Sequence, residues 1–189
     1  MRYSRPFGEV ALRVPGRHNV QNALAAIAAA DWAGVGREMI LLGVSEFTGA
    51  ARRFQTFGEA RGVLVVDDYA HHPTEIRAVL RAARERYPGR ELWCLFQPHQ
   101  NGRTRRLMDD FSRAFGDADR VLISEAFSVR EKGQDDAGRE LSGRIGGASL
   151  YVGSKEEALA FARERIPAGS VLLTLGAGDI GAVAREFIR

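Results

Sequence analysis

Four short runs hold most of the residues that could do chemistry in this chain. They are Asp67-Asp68-Tyr69-Ala70-His71-His72-Pro73, Gln97-Pro98-His99-Gln100-Asn101-Gly102-Arg103-Thr104, Ser124-Glu125-Ala126-Phe127 and Gly176-Ala177-Gly178-Asp179. Three of the four histidines fall in them, so scatter is a poor explanation. A carboxylate such as Asp68 can accept from a ligand hydroxyl or amine while His71 or His99 meets a negative group. His99 and Arg103 at the start of an expected helix make a seat for carboxylate or phosphate. The glycines of the last run let backbone N–H groups approach a ligand, although a tight turn would use the same residues. A metal site of Asp67, Asp68, His71 and His72 is the weaker reading, because adjacent imidazoles point apart and no HExxH or CxxC spacing occurs. Capping of the helix that begins at Pro73 by Asp68 and Thr74 would explain one acidic residue but not the histidines. A fifth run, His18-Asn19-Val20-Gln21-Asn22, leads into an Ala-rich helix and puts both asparagines on one face of its first turn. Asn19 suits an N-cap, whereas Asn22 inside an apolar helix has no ready structural excuse.

Each of the four main runs follows a segment that reads as a strand. Residues 53–59 and 62–67 suggest two strands around a turn, followed by Leu92–Phe96, Arg120–Ser124, Ser149–Val152 and Val171–Leu175. Helices are expected at Thr74–Tyr87, Thr104–Phe115, Ala137–Ile145, Ser154–Arg165 and Ile180–Ile188, and the loop Val129–Gly138 as the most mobile stretch. Unbroken apolar strands between amphipathic helices indicate an α/β fold, a mostly parallel sheet covered on both faces. In such sheets ligands bind beyond the carboxyl ends of the strands, where the four runs lie. Upstream, residues 9–14 read as a strand end, Asn19–Ala33 as a helix buried on most sides, and Arg37–Val44 as a second short helix.

The 189 residues carry a net charge of +3, 45% hydrophobic and 27% charged residues, enough for one domain with an attached piece. The balance excludes a nucleic-acid polycation, and no apolar run is long enough to span a membrane. Cys94 is the single cysteine, so no internal disulfide forms, and no apolar stretch follows the basic N-terminus as in a secretory leader. A cytoplasmic location follows as the expectation. Lys132 and Lys155 are the only lysines, and neither sits in a G-x-x-x-x-G-K-[ST] phosphate loop.

Taken in order, PGRHNVQNALAA (15–26), GAARRFQ (49–55), VVDDYAHHPTEIRAVL (65–80), FQPHQNGRTRRLMDDF (96–111) and LGAGDIG (175–181) resemble the Mur ligases over essentially residues 9–189. The resemblance implies a Rossmann-like C-terminal domain at 48–189, preceded at 1–47 by a helical remnant of a central ATPase domain. It implies ATP with Mg²⁺, both held mainly by central-domain polypeptide outside this chain, and UDP-N-acetylmuramate and L-alanine as substrates. The implied reaction activates the lactyl carboxylate as an acyl phosphate, which the amine of alanine then attacks; the chain by itself is not expected to catalyse. It further implies nucleotide contacts from His18, Asn19, Asn22, Arg53, Asp68 and Tyr69. His71, His99, Arg103, Thr104, Gly176 and Gly178 would face the substrates, with Arg53, Asp68, His71, His99 and Arg103 catalytic and no metal ligand among them. Asn101-Gly102 and Phe127–Glu131 depart from the family's usual aromatic-serine and tyrosine-alanine-glycine-glutamate runs. A related peptide-recycling ligase shares much of the set. A non-catalytic α/β binding domain and a metal-dependent hydrolase are the readings from other classes.

Overall fold

The computed structural model describes residues 6–127, 137–147 and 149–189. The expected loop Val129–Gly138 lies almost wholly outside these, as do Ser128–Glu131 of the divergent run. The chain divides into two compact units, Met1–Ala50 and Ala51–Arg189.

The first unit contains α1 (Arg17–Trp32) and α2 (Arg37–Glu46). Residues 9–14 are irregular rather than a strand. Their loose alternation has no partner strand here to reward it, and alternation alone does not make a ladder. The Ala-rich helix forms as its propensity dictates, yet none of its residues is buried, against the expectation from its apolar composition. Within the unit only Ile40 of α2 is buried in either helix, while Trp32 is 87% exposed and Met39 66%. Two helices give each apolar stripe at most one neighbour, too few to cover it.

The second unit carries β1 (Gln55–Ala60), β2 (Val63–Asp68), α3 (Pro73–Arg86), β3 (Leu92–Phe96), α4 (Asn101–Arg106), α5 (Met108–Ser112) and β4 (Arg120–Ser124). It continues with α6 (Ala137–Ile145), β5 (Ser149–Gly153), α7 (Lys155–Arg165), β6 (Val171–Leu175) and α8 (Gly181–Ile188). The sheet order is β1-β2-β6-β3-β4-β5, with β1 antiparallel to β2 and every other pair parallel. This is the mostly parallel sheet that the apolar runs imply, with the Rossmann-like form that the resemblance implies. Helices α3, α5 and α6 cover one face through Ile76, Leu80, Phe111 and Leu141; α7 and α8 cover the other through Ala158, Ala162, Val183 and Phe187. Because β6 returns between β2 and β3, the exits of those three strands lie side by side, where the winding direction reverses. Among the described residues no helix is long and apolar enough to cross a membrane.

The expected helix Thr104–Phe115 is two short ones. It starts at Asn101 and breaks at Leu107, whose φ of −112° leaves the helical range. After the break Met108 and Phe111 are both buried, and Phe111 packs on Phe96 with ring centroids 5.6 Å apart. Core packing here overrides local periodicity.

Candidate functional site

Asp67 and Asp68 end β2, and the pleat sends them to opposite faces. The hairpin register pairs Gln55 with Asp67, which delivers the preceding Arg52 and Arg53 to the same sheet end. Arg52 Nε donates to Asp67 Oδ2 at 2.9 Å, and its Nη atoms donate to the carbonyls of Gly178 at 2.9 Å and Gly176 at 2.5 Å. Asp67 is fully buried; its other oxygen accepts from Thr174 Oγ1 at 2.6 Å. A buried carboxylate is tolerated because ion pair and hydrogen bonds together satisfy it.

Asp68 is bound by backbone. One oxygen accepts from Phe54 N–H and the other from Ala70 N–H, each at 2.7 Å. Burial raises its carboxyl above the ordinary aspartate value, opposed by those two N–H groups and by Arg53, and reinforced by Asp67. It therefore caps the turn between β2 and α3 and does not cap α3 itself. That cap is His72: its ring accepts from Thr74 N–H at 3.4 Å while Glu75 accepts from His72 N–H at 3.1 Å, a capping box. One of the two adjacent histidines is thus accounted for by structure.

His71 turns the other way. Its Nδ1 lies 3.0 Å from the carbonyl of Tyr69 and 3.5 Å from Glu75, and its ring meets Tyr69 edge-on at 5.4 Å and His99 at 6.2 Å. Glu75 is held below its ordinary value although burial opposes this, chiefly by His71 N–H and the His71 ring, then by His72 N–H and Arg53. Tyr69 is 37% exposed, with the guanidinium groups of Arg52 and Arg53 at 5.2 and 5.7 Å from its ring centre. Arg53 itself is exposed.

At the β3 exit, His99 stacks on Phe127 at 5.8 Å, and the two residues form a parallel bridge. His99 Nδ1 is buried and has no partner among the described residues. Burial first, then Arg103 and His71, lower the pKa of this imidazole, so the neutral ring prevails at neutral pH. Arg103 is half-buried; its carbonyl accepts from Leu107 N–H at 3.2 Å, while its guanidinium has no hydrogen bond or ion pair among the described residues. Thr104 is fully buried and returns its hydroxyl to the Gln100 carbonyl at 3.1 Å, so it faces its own helix. The divergent Asn101 is also structural in part, its Oδ1 accepting from Ala137 N–H at 3.0 Å to start α6.

The glycine run after β6 is a tight turn packed on β3. A Cβ on Gly176 would lie 2.8 Å from the Gln97 carbonyl, and one on Gly178 would lie 2.3 Å from Gln97 Oε1 and 2.6 Å from Phe127. Gln97 donates to Asp179 Oδ1 at 3.0 Å and accepts from Ile180 N–H at 3.2 Å, while Asp179 Oδ2 pairs with Lys155. Lys155 thus anchors this turn, a role its place outside any phosphate loop concealed.

The structure brings Tyr69, His71, His99 and Arg103 together with the glycine turn, and places Arg53, Asp68 and Thr104 beside them. Arg52 was missed in favour of Arg53. The signal was present: two acids on opposite faces of one strand, preceded across a hairpin by two arginines. Asp67, Asp68, His71 and His72 do not converge, and among the described residues no three His, Cys, Asp or Glu side chains could hold a metal.

In the first unit the N-cap of α1 is Gly16, so Asn19 sits inside the first turn and not at the cap. Its Nδ2 donates to the Pro15 carbonyl at 2.6 Å, and Asn22 reaches its Oδ1 at 3.5 Å. His18 is half-buried beside them. Asn19, Asn22, Ala23, Ala26, Val44 and Phe47 line a cavity of about 310 Å³.

Residues 52–178 match the family described as Mur ligase, glutamate ligase domain. The UDP-N-acetylmuramate–L-alanine ligase of Alkaliphilus metalliredigens is 41% identical over 97% of this chain and 40% of its own length. That of Roseiflexus castenholzii is 46% identical over 91% of this chain and 37% of its own. The solved UDP-N-acetylmuramate-alanine ligase MurC of Thermotoga maritima superposes with a TM-score of 0.78 at 31% identity, over 98% of this chain and 40% of that one. A murein peptide ligase from Psychrobacter arcticus gives 0.71 at 28% identity, over 94% of this chain and 38% of that one. The chain therefore spans about 40% of the length of the relatives it matches. With a sheet of this topology and a family match over residues 52–178, the chain belongs to the Mur ligase family.

Proposed function

We propose that this chain is the C-terminal portion of an ATP-dependent ligase that joins L-alanine to the lactyl carboxylate of UDP-N-acetylmuramate. The observation that carries the reading is the convergence of a neutral His99 and the Arg103 guanidinium from the β3 exit with His71 from the β2 exit, on a chain whose relatives bear that name. ATP supplies the phosphoryl group that activates the carboxylate. The residues present suit a nucleotide: Tyr69 offers an exposed ring backed by two guanidinium groups, and Arg53 an exposed cation beside it. Asn19 and Asn22, with His18 beside them, line an apolar slot wide enough for a base. Mg²⁺ prefers carboxylate and phosphate oxygens and is assigned to polypeptide of the longer protein, with most of the phosphate binding.

Arg103 offsets charge on the carboxylate or acyl oxygens, with the neutral ring of His99 beside it. His71, with Nδ1 committed to the Tyr69 carbonyl, keeps Nε2 for the incoming amino acid. Asp68 and Thr104 act as positioning residues, since both are buried and hydrogen-bonded to backbone. Closure of this portion over the nucleotide would exclude water from a hydrolysable intermediate. The cytoplasm, where ATP and nucleotide sugars occur, is the compartment this reading requires.

A chimera tests it: this chain replaces the corresponding segment of the Roseiflexus castenholzii ligase, and ADP formation is measured. The expected result is ADP formation that needs both UDP-N-acetylmuramate and L-alanine. A folded but inactive chimera, or one that accepts only a preformed peptide in place of alanine, would overturn the assignment.

A further inference from the structure

We infer that Arg52 is a positioning residue that sets the Gly176–Gly178 turn and, through it, the imidazole of His99. The inference starts from peptide geometry. In a trans peptide the C=O and the following N–H point in opposite directions. Arg52 takes the carbonyls of Gly176 and Gly178 on its two Nη atoms, so the N–H groups of Ala177 and Asp179 face away from it. Asp179 N–H helps hold its own carboxylate, whose pKa is lowered although burial opposes this, chiefly by Lys155 and Gln97. Ala177 N–H has no acceptor among the described residues.

The same grip reaches His99. Gly178 lies so close to Phe127 that a Cβ would come within 2.6 Å of its ring, and Phe127 stacks on His99. A shift of the turn must therefore move Phe127, and with it the ring that orients His99. Arg52 is itself firmly fixed. Asp67 anchors Nε, Gln55 Oε1 accepts from its N–H at 2.9 Å, and its carbonyl accepts from Tyr69 N–H at 2.7 Å. Both Arg52 and Phe54 are held with positive φ, at 57° and 48°, a conformation that persists in non-glycine residues only where surroundings enforce it. Lysine could keep the ion pair with Asp67 but cannot hold two carbonyls in a fixed fork as guanidinium does.

The test uses the 189-residue chain and nuclear magnetic resonance. In Arg52→Lys the amide signals of Ala177 and Gly178 and the ring signals of Phe127 and His99 shift, while those of residues 163–165, at the end of α7 away from Lys155, stay. In Asp67→Asn, which keeps the guanidinium on both carbonyls, the turn and His99 signals stay near their wild-type positions. Unchanged turn signals in Arg52→Lys, or equal changes in both variants, would overturn the inference. Should Arg52→Lys fail to fold, the wild type decides: resolved, slowly exchanging Arg52 Nη protons support the grip, and fast-averaged ones refute it.

The catalytic consequence rests on the ligase reading above. In the chimera, Arg52→Lys is expected to lower kcat about 10²-fold, the scale of an ångström's misplacement. A wild-type chimera without activity would sink the ligase reading and leave the resonance result standing; normal turnover in Arg52→Lys would sink the catalytic role alone.

Discussion

His99 is the residue whose surroundings say most about its task. Burial, Arg103 and His71 all disfavour its charged form, and its Nδ1 is enclosed without a partner among the described residues. A depressed histidine pKa means the unfolded chain binds the proton more readily. Stability is therefore complete above the ordinary value of 6.5 and declines as pH falls below it toward the depressed value. Titration of the imidazole by nuclear magnetic resonance should give a midpoint below 6.5, and Arg103→Gln should move it upward by removing the second cause. A midpoint at or above the ordinary value would contradict this environment. The adjacent pair His71-His72 shows how far sequence goes at this scale. Adjacency indicated that the two rings diverge, but which one caps α3 depends on Glu75 reaching back to His72 N–H. Arg52 and Arg53 posed the same difficulty: identical neighbours, of which one is locked under a turn and the other is exposed.

Among the elements, the buried strands were the most legible. Leu92–Phe96, Arg120–Ser124 and Val171–Leu175 match their expected bounds residue for residue, because a strand covered on both faces carries an apolar stretch without the alternation of a half-exposed one. Alignment of their exits could be anticipated from the clustering of His, Arg and Gly at those ends. The break at Leu107 was not legible, since packing of Met108 and Phe111 decides it, nor was the absence of a strand at residues 9–14. Helix α3 places His71 through its capping box, so Glu75→Ala should cost about 1 kcal/mol of stability at pH 7. Because the folded-state pKa of Glu75 is lowered, its contribution is present above the ordinary value of 4.5 and fades as pH falls through the depressed one. Chemical denaturation of wild type and variant across acidic pH should show the two curves converging; a constant gap would contradict the assignment.

For the molecule as a whole, the two units differ in how much core each holds. The sheet unit buries an apolar cluster on either face, whereas α1 contributes no buried residue. Local opening should therefore begin in the first unit. Hydrogen exchange is expected to be fast across residues 17–46 and slow in β2, β3 and β6, and acrylamide should quench the 87% exposed Trp32 far more than Trp93. Uniform protection of both units would refute that picture.

In the proposed ligase His71, His99 and Arg103 serve UDP-N-acetylmuramate and L-alanine, while Tyr69 and Arg53 beside them serve the nucleotide. Steady-state kinetics of Arg103→Ala and His71→Ala in the Roseiflexus chimera tests it most directly. The expected result is a fall in kcat/KM for L-alanine or UDP-N-acetylmuramate of about 10²-fold or more with KM for ATP unchanged. Wild-type kinetics for both substrates, or a loss confined to ATP, would contradict it.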